Sequence, residues 1–191
     1  MLPGSCLLCG ADSGTGLLCP PCLADLPALP PMRCPQCAEA TTHGERCGAC
    51  LTAPPHFART VALWRYDFPI NRIIHALKYR HQTAAARWLG SALAPCLDGA
   101  DQWIVPMPLH PERLRERGFN QSMEIARSLA RQLRRPLLGD CLLRLRPTAP
   151  QADLDPGQRR RNVRGAFACN ADLHGRAIVL VDDVMTTGAS A

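Results

Sequence analysis

The chain has 191 residues, a length that allows one core of moderate size and a small appendage. Its net charge is +6. No segment has the pattern of a signal peptide or a membrane span, which argues against a secreted or membrane-inserted protein. The positive charge comes mostly from arginine, which suits phosphate ligands or nucleic acid without deciding between them. We therefore expect a cytoplasmic protein that binds an anionic partner.

Cysteine pairs dominate the first 50 residues. A unit of two Cys-x-x-Cys pairs separated by nine residues occurs twice, with an offset of 28 residues. Each pair fits a zinc knuckle, and zinc is favoured over disulfides in a reducing compartment. Interleaved pairing would tie the two units together, whereas sequential pairing, which we favour, makes each unit self-contained. The predicted double zinc ribbon spans residues 1–54 and holds two structural Zn²⁺ ions, one on Cys6, Cys9, Cys19 and Cys22 and one on Cys34, Cys37, Cys47 and Cys50.

From Val61 onward, short apolar runs typical of strands alternate with apolar residues at helical spacing. Strands are predicted at 61–66, 103–105, 142–145 and 177–181. Helices are predicted from Ile70 to about Arg80, at 83–97 and around 125–133. This alternation predicts an α/β fold with a parallel sheet that helices cover on both faces.

A basic segment follows the predicted strand at Trp103. It begins with the proline-bounded turn at 106–108 and continues through Arg113, Arg115 and Arg117. A departing diphosphate needs donors that are already fixed in place, so the segment suits a pyrophosphate clamp, to which Lys78 could add a cation. The alternative is an exposed basic helix, although like charges four residues apart would weaken it.

The end of the sequence carries the strongest functional signal. The apolar run Ala177–Val181 predicts a buried strand, Asp182 and Asp183 follow at its carboxyl end, and small residues occupy 186–190. Ligands of parallel sheets bind beyond the carboxyl ends of strands, where N–H groups of a turn can face a phosphate. The pattern predicts a sugar-phosphate site in which both carboxylates bind a ribose diol and residues 186–190 bind a monophosphate. No Gly-Lys-Ser/Thr sequence supports a nucleoside triphosphatase.

Several motifs, in order along the chain, resemble the ComF competence-protein family and its type I phosphoribosyltransferase domain. After the cysteine pairs come Ile74-His75-Ala76-Leu77-Lys78-Tyr79, Pro106-Met107-Pro108-Leu109-His110, Arg117-Gly118-Phe119-Asn120-Gln121, Asn162-Val163-Arg164-Gly165-Ala166-Phe167 and Asp182-Asp183-Val184-Met185-Thr186-Thr187-Gly188. The resemblance implies a phosphoribosyltransferase-like domain over residues 58–191 that binds phosphoribosyl pyrophosphate (PRPP) together with Mg²⁺.

The resemblance also implies roles for individual residues. Arg159 and Asn162 fall in a loop that closes over the substrate in type I phosphoribosyltransferases. Because only Ala191 follows Ser190, whereas family members are longer, we expect a truncated C-terminus. The implied catalytic residues are Lys78, Arg113, Arg115, Arg117, Asp182 and Asp183. The implied PRPP-binding residues are Pro108, Leu109, Arg159, Asn162, Val184, Thr186, Thr187, Gly188, Ala189 and Ser190.

Two functions of different classes stay open. In the first, the chain transfers phosphoribose from PRPP to an acceptor that the sequence does not identify, in a role linked to DNA uptake and natural transformation. In the second, it is a non-enzymatic partner of the DNA-uptake machinery or of recombination that binds single-stranded DNA and uses the PRPP site for binding or regulation only. A PRPP-sensing regulator is a third possibility, which no visible recognition helix supports.

Overall fold

Two units of different architecture make up the chain. The computed structural model describes residues 4–97, 101–147, 163–186 and 188. The first unit spans Met1–Leu97 and the second spans Asp98–Ala191. Residues up to Leu97 thus pack with the cysteine-rich segment, whereas the functional boundary between residues 54 and 58 stays a prediction.

The cysteine-rich segment repeats its backbone structure as well as its sequence. Strands β1 (Gly4–Ser5) and β2 (Asp12–Gly14) pair antiparallel, with Ser5 opposite Asp12. An antiparallel bridge joins Arg33 to Ala40, which are the positions 28 residues later. The two halves therefore share a local fold, as the spacing of their cysteines predicts.

A short helix closes each half at equivalent positions. These helices are α1 (Pro20–Ala24) and α2 (Gly48–Thr52), and their N-cap residues are Cys19 and Cys47. Prolines occupy the first two positions of α1, where their fixed φ suits a helix and the missing N–H groups cost nothing. The helix starts hold the second cysteine pair of each half in place.

The predicted strand at 61–66 is wrong. Within this stretch only Trp64 forms a β-bridge, with Ala28. The segment that faces it contains Pro27 and Pro30, which have no N–H group to donate. A regular ladder cannot extend past such positions, so the apolar side chains pack without forming a strand.

A helical hairpin completes the first unit. Helix α3 (Ile70–Arg80) confirms the prediction, and α4 (Thr83–Leu93) is followed by a 3₁₀ turn over Ala94–Cys96. The predicted helix at 83–97 is therefore shorter, because Pro95 cannot continue the α-helical hydrogen bonds. Trp88 of α4 stacks on Trp64, with ring centroids 4.9 Å apart and planes 7° from parallel.

The second unit is built on a parallel pair of strands. Its described elements, in chain order, are β3 (Gln102–Pro106), α5 (Pro111–Arg117), α6 (Gln121–Leu133), β4 (Leu142–Arg144), β5 (Phe167–Cys169) and β6 (Ala177–Val181). β3 and β6 are parallel, with Gln102 opposite Ala177 and Pro106 opposite Val181. The predicted parallel sheet is confirmed for these strands, whereas β4 pairs antiparallel with β5.

Helix α6 covers one face of the parallel strands. Ile104, Ile125 and Leu129 are at most 1% exposed and form the core between helix and sheet. Strand β6 is less buried than predicted, because Val181 alone among its residues is fully buried. In the part of the chain that is described, β3 is the strand that pairs with β6, along one of its two edges. None of the described helices is long and apolar enough to cross a membrane.

The repeat predicts a stabilising substitution in the second half of the ribbon. Ala38 has a φ of +65°, whereas its counterpart Gly10 has a φ of +78°. Left-handed backbone is strained for alanine, so Ala38→Gly should stabilise the zinc-loaded chain by about 0.5–1 kcal/mol. Chemical unfolding measures the change. Ala49→Gly, placed in α2, is the matched control and should cost about 1 kcal/mol. Equal destabilisation by both substitutions would contradict the argument.

Candidate functional site

Eight cysteines form two separate clusters in the first unit. One consists of Cys6, Cys9, Cys19 and Cys22, the other of Cys34, Cys37, Cys47 and Cys50, and the sulfurs of each lie within 4.8 Å of one another. The sulfurs therefore group as sequential pairing predicts, and neither group combines cysteines of both repeats as interleaved pairing requires.

The sulfur spacing matches a tetrahedral zinc ion. Zn–S bonds of about 2.3 Å directed to the corners of a tetrahedron put neighbouring sulfurs about 3.8 Å apart. Cys9 Sγ lies 3.6 Å from Cys19 Sγ, and Cys37 Sγ lies 3.5 Å from Cys47 Sγ. Each cluster consists of four thiols, which leaves no open position, so two structural zinc ions fit these residues.

The first thiol of each cluster has a lowered pKa, which favours the thiolate form that binds metal. Burial opposes ionisation of Cys6 and Cys34, but nearby backbone N–H groups that donate to each sulfur lower both pKa values to about 6. The last thiols are hard to ionise without a cation. Burial and neighbouring thiols raise the pKa of Cys50 to about 12, and hydrogen bonding to Cys9 leads the rise for Cys22. A cation at the centre reverses this penalty, so metal binding and folding are coupled.

In the second unit, two carboxylates stand where the parallel strands end. The Val181 carbonyl accepts the Met107 N–H at 2.8 Å, which puts the start of the last loop beside the turn that follows β3. Asp182 Oδ1 accepts hydrogen bonds from Ser122 Oγ and from the Asp183 N–H, both at 2.9 Å. The carboxyl ends of β3 and β6 thereby meet the beginning of α6.

The first turn of α6 is fastened to the same turn. Asn120 caps the helix, because its Oδ1 accepts the N–H groups of Ser122 at 3.0 Å and Met123 at 3.4 Å. Its Nδ2 donates to the Met107 carbonyl at 2.9 Å. Gln121 and Ser122 are 5% and 1% exposed, so these polar side chains are held against the carboxylates by burial as well as by hydrogen bonds.

Repulsion and desolvation make Asp182 a weak acid. Much of the surface of Asp182 is exposed to solvent, but its carboxylate is directed toward Ser122 and the loop backbone. Removal of the carboxylate from water, followed by the charge of Asp183, raises its pKa to about 7. Arg144 on β4 lies close enough to attract Asp182, although burial lowers the pKa of Arg144. Bound positive charge or hydrogen-bond donors would therefore be favoured at this carboxylate pair.

The predicted arginine clamp lies on the short helix α5, and one of its three arginines is linked to the carboxylates through Gln121. Arg117 Nη1 donates to Gln121 Oε1 at 2.6 Å, and Gln121 Nε2 donates to Asp183 Oδ1 at 2.9 Å. Arg113 is exposed and lies 3.4 Å from Glu116, and Arg115 donates to the Pro111 carbonyl at 3.4 Å. The arrangement joins Arg117 to Asp183 and leaves the other two arginines facing solvent.

The remaining predicted residues divide into three groups. Pro108 and Leu109 lie in the turn after β3, and Val184, Thr186 and Gly188 lie in the loop after β6, with a φ of +69° at Gly188. Lys78 lies on α3 in the first unit, half-buried. Five predicted ligands lie outside the described residues, namely Arg159, Asn162, Thr187, Ala189 and Ser190.

Three residues at the carboxylates were not predicted as site residues, namely Gln121, Ser122 and Arg144. Asn120 is a common helix-capping residue type, and that signal places the first helical turn, including Gln121 and Ser122, directly after the basic segment. Arg144 interrupts the apolar run of β4, which is the pattern of a charged group directed to one face of a strand. The positions of these three residues near the carboxylates, however, depend on packing between residues more than 35 positions apart along the chain.

These features define a double zinc ribbon protein with an α/β unit. The model of the double zinc ribbon domain matches residues 1–51. DNA utilization protein YhgH of Escherichia coli (strain K12) is 34% identical over 201 residues, covering 99% of this chain and 88% of that protein. The same-named protein of Salmonella typhimurium is 34% identical over 167 residues, covering 82% and 73%.

A relative with a different name extends the family. Competence protein F of Haemophilus influenzae is 29% identical over 185 residues, which covers 91% of this chain and 80% of that protein. The chain belongs to the family that includes DNA utilization protein YhgH and Competence protein F, and the predicted resemblance is confirmed. No solved structure matches the chain.

Removing two ligands of one cluster should remove one zinc ion and leave the other in place. The parent chain should carry two zinc ions, whereas Cys34→Ala with Cys50→Ala should carry one, because all four ligands of the first cluster remain. Native mass spectrometry of freshly reduced protein counts the ions. Cys96→Ala with Cys169→Ala is the control for thiols outside both clusters and should keep both ions. Loss of all zinc from the Cys34/Cys50 variant would show that the clusters are interdependent.

Asp182→Asn should change the pH dependence of stability. Folding raises the pKa of Asp182 from 3.8 to about 7, so its stabilising contribution is complete below the unfolded pKa and is lost as pH rises through about 7. Asparagine does not titrate. Relative to the parent, the variant should therefore gain free energy of unfolding as pH rises from about 4 to about 7, and the difference should level off above that. Urea unfolding across this range measures the difference, and taking it at each pH cancels the contribution of the zinc ligands.

A second variant tests the cause of that shift. Repulsion from Asp183 contributes to the raised pKa of Asp182, so Asp183→Asn should lower that pKa. The pH range over which the free energy of unfolding falls should then lie lower in Asp183→Asn than in the parent chain. A difference between Asp182→Asn and the parent that stays constant with pH would contradict the assignment.

Proposed function

We propose that the chain binds PRPP at the loop after β6 and acts in DNA utilisation. The observation that supports this most directly is the position of Asp182 and Asp183. Both follow a strand that is parallel to β3, at the edge where ligands of parallel sheets bind. Ser122 and Gln121 hold the two carboxylates in fixed orientations.

The ribose is the part of PRPP that suits the carboxylates. Its two hydroxyls are donors, and Asp182 and Asp183 offer acceptor oxygens next to each other. The 5′-phosphate would lie on the small residues that follow, where the φ of +69° at Gly188 allows a tight turn with N–H groups directed inward. Val184 and Thr186 form the described beginning of this loop, and we assign Thr187, Ala189 and Ser190 to it from the sequence motif alone.

Mg²⁺ fits the same pair of residues. Adjacent carboxylates supply the oxygen ligands that this ion prefers, and their mutual repulsion, which raises the pKa of Asp182, would be relieved by a divalent cation. Bound there with PRPP, the ion would offset the negative charge of the diphosphate. Asp182 and Asp183 are the residues that would hold it, directly or through water.

The diphosphate end of PRPP would be recognised by cations of α5 and by the turn at Pro108 and Leu109. Arg113 and Arg115 are exposed, so each can turn toward an incoming anion, whereas Arg117 is held by Gln121. Phosphoribosyl transfer breaks the bond between C1 and the diphosphate and forms a bond from C1 to an acceptor that loses a proton. Guanidinium groups stabilise the departing charge in such a step. We assign Arg159, Asn162 and Lys78 to the same process on the family motif only.

The biological setting comes from the relatives, whose names refer to DNA utilisation and competence. In that setting PRPP is either consumed by transfer to an acceptor or held as a ligand that controls the protein. Release of pyrophosphate distinguishes the two, because only transfer produces it. The zinc ribbon would then serve as the structural part of a protein that handles DNA or its components.

PRPP binding should depend on both carboxylates. Titration calorimetry with Mg²⁺ and PRPP should give a measurable affinity for the parent chain and at least a tenfold loss for Asp182→Asn with Asp183→Asn, because hydrogen bonds to charged groups contribute about 1.5–3 kcal/mol each. Zinc content should not change, since the clusters lie in the other unit.

Asp140→Asn is the matched control, because it removes an exposed carboxylate of the same unit. It should keep the parent affinity. Ribose 5-phosphate, which lacks the diphosphate, should bind more weakly than PRPP. Unchanged PRPP affinity in a folded, zinc-loaded double variant would refute the proposed site.

A further inference from the structure

A cleft lies at the opposite end of the β3–β6 pair from the proposed PRPP site. Its volume is about 490 Å³, within the range of small-ligand sites. Its lining includes Ala177, the first residue of β6, and Trp103, the second residue of β3. The first and last residues of each strand are four positions apart, a distance of about 13 Å in extended backbone. The charged members of the lining are Arg134, Arg135, Arg176 and Asp101, and Trp103 is its aromatic member.

Two different elements bring the arginines together. Arg134 and Arg135 follow the last residue of α6, and Arg176 precedes β6. Arg135 Nη1 donates to Gln102 Oε1 at 2.8 Å, which orients its guanidinium. The negative end of the α6 dipole stabilises cations at its C-terminus, which accounts for Arg134 and Arg135. It does not account for Arg176, which comes from another part of the chain.

Arg176 also forms a flat surface with Trp103. Its guanidinium carbon lies 4.7 Å from the centroid of the Trp103 ring, and Arg176 is exposed. A guanidinium that stacks on an indole keeps its edge donors available and presents a planar face to solvent. Bases stack on such faces, and guanidinium edges bind phosphate oxygens in pairs. A cleft with three arginines, one carboxylate and this stack suits a ligand that is both anionic and planar.

We propose that this cleft binds a nucleotide unit, with the phosphate between Arg134, Arg135 and Arg176 and the base against the Arg176–Trp103 stack. The unit is either a free nucleotide or part of a single strand. The proposal adds a site to the proposed role in DNA utilisation, and it does not depend on PRPP binding.

Arg134→Gly is the most informative variant. Arg134 has a φ of +52°, a left-handed conformation in which glycine is less strained than arginine, so the substitution removes a cation without straining the backbone. Weaker binding by this variant cannot be attributed to lost stability. With a fluorescein-labelled oligothymidylate and with thymidine 5′-monophosphate as probes, the affinity should fall about tenfold. The slope of log affinity against log salt should also decrease by about one.

Two further variants make the result specific to the cleft. Asp101→Asn removes the carboxylate that opposes the phosphate, so it should increase the affinity for both probes. Arg127→Gln is the matched control, because Arg127 is an exposed arginine of α6 that pairs with Glu124 and does not line the cleft. It should leave the affinity unchanged.

The probes distinguish the sources of the ligand. Binding of the oligonucleotide alone identifies a single strand, and comparable binding of thymidine 5′-monophosphate identifies a free nucleotide. Either outcome supports the proposal if it depends on Arg134 and improves with Asp101→Asn. Equal binding of inorganic phosphate would overturn the nucleotide assignment, and probe binding that ignores all cleft variants would overturn the site. Asp182→Asn with Asp183→Asn should keep nucleotide binding and Arg134→Gly should keep PRPP binding, so each proposal can fail without the other.

Discussion

The parallel pairing of β3 with β6 is the interaction on which the second unit depends. It joins residues about 75 positions apart along the sequence, in a register that runs from Gln102 opposite Ala177 to Pro106 opposite Val181. Closing so long a segment is entropically costly, and the buried contacts of Ile104 with α6 repay that cost. The same register sets both ends of the strands, so it positions the carboxylates at one end and the basic cleft at the other.

Buried polar side chains connect that framework to the candidate site. Gln121 and Ser122 could have been apolar if the first turn of α6 served packing alone, yet both are buried and donate to carboxylates. Buried donors of this kind are costly unless they are paired, so they keep Asp182 and Asp183 in defined orientations. Burial of its carboxylate and the neighbouring charge of Asp183 raise the pKa of Asp182, so a cation or hydrogen-bond donors placed there would be favourable.

The zinc ribbon reaches stability by a different route. Its halves have the same turns, the same helix starts and the same thiol arrangement, with little apolar core between them. Cys22 and Cys50 have raised pKa values that a cation in their clusters would reverse, so metal binding would stabilise the folded segment. The ribbon can therefore be ordered without a large hydrophobic interior, and Trp64 and Trp88 add the packing that joins it to the helical hairpin.

Local patterns in the sequence were enough to predict the two sequential four-cysteine clusters, helices α3 and α6 and strands β3 and β6. Knuckle turns and amphipathic periods depend on nearby residues, which is why such patterns record them. They misplaced a strand at 61–66, where prolines elsewhere in the chain prevent pairing, and they did not show that β4 pairs antiparallel with β5. Contacts between distant residues decided the rest. The tertiary structure alone brought Gln121 and Ser122 to the carboxylates and Arg134 to Arg176, since which elements meet is set by long-range packing that no local pattern records.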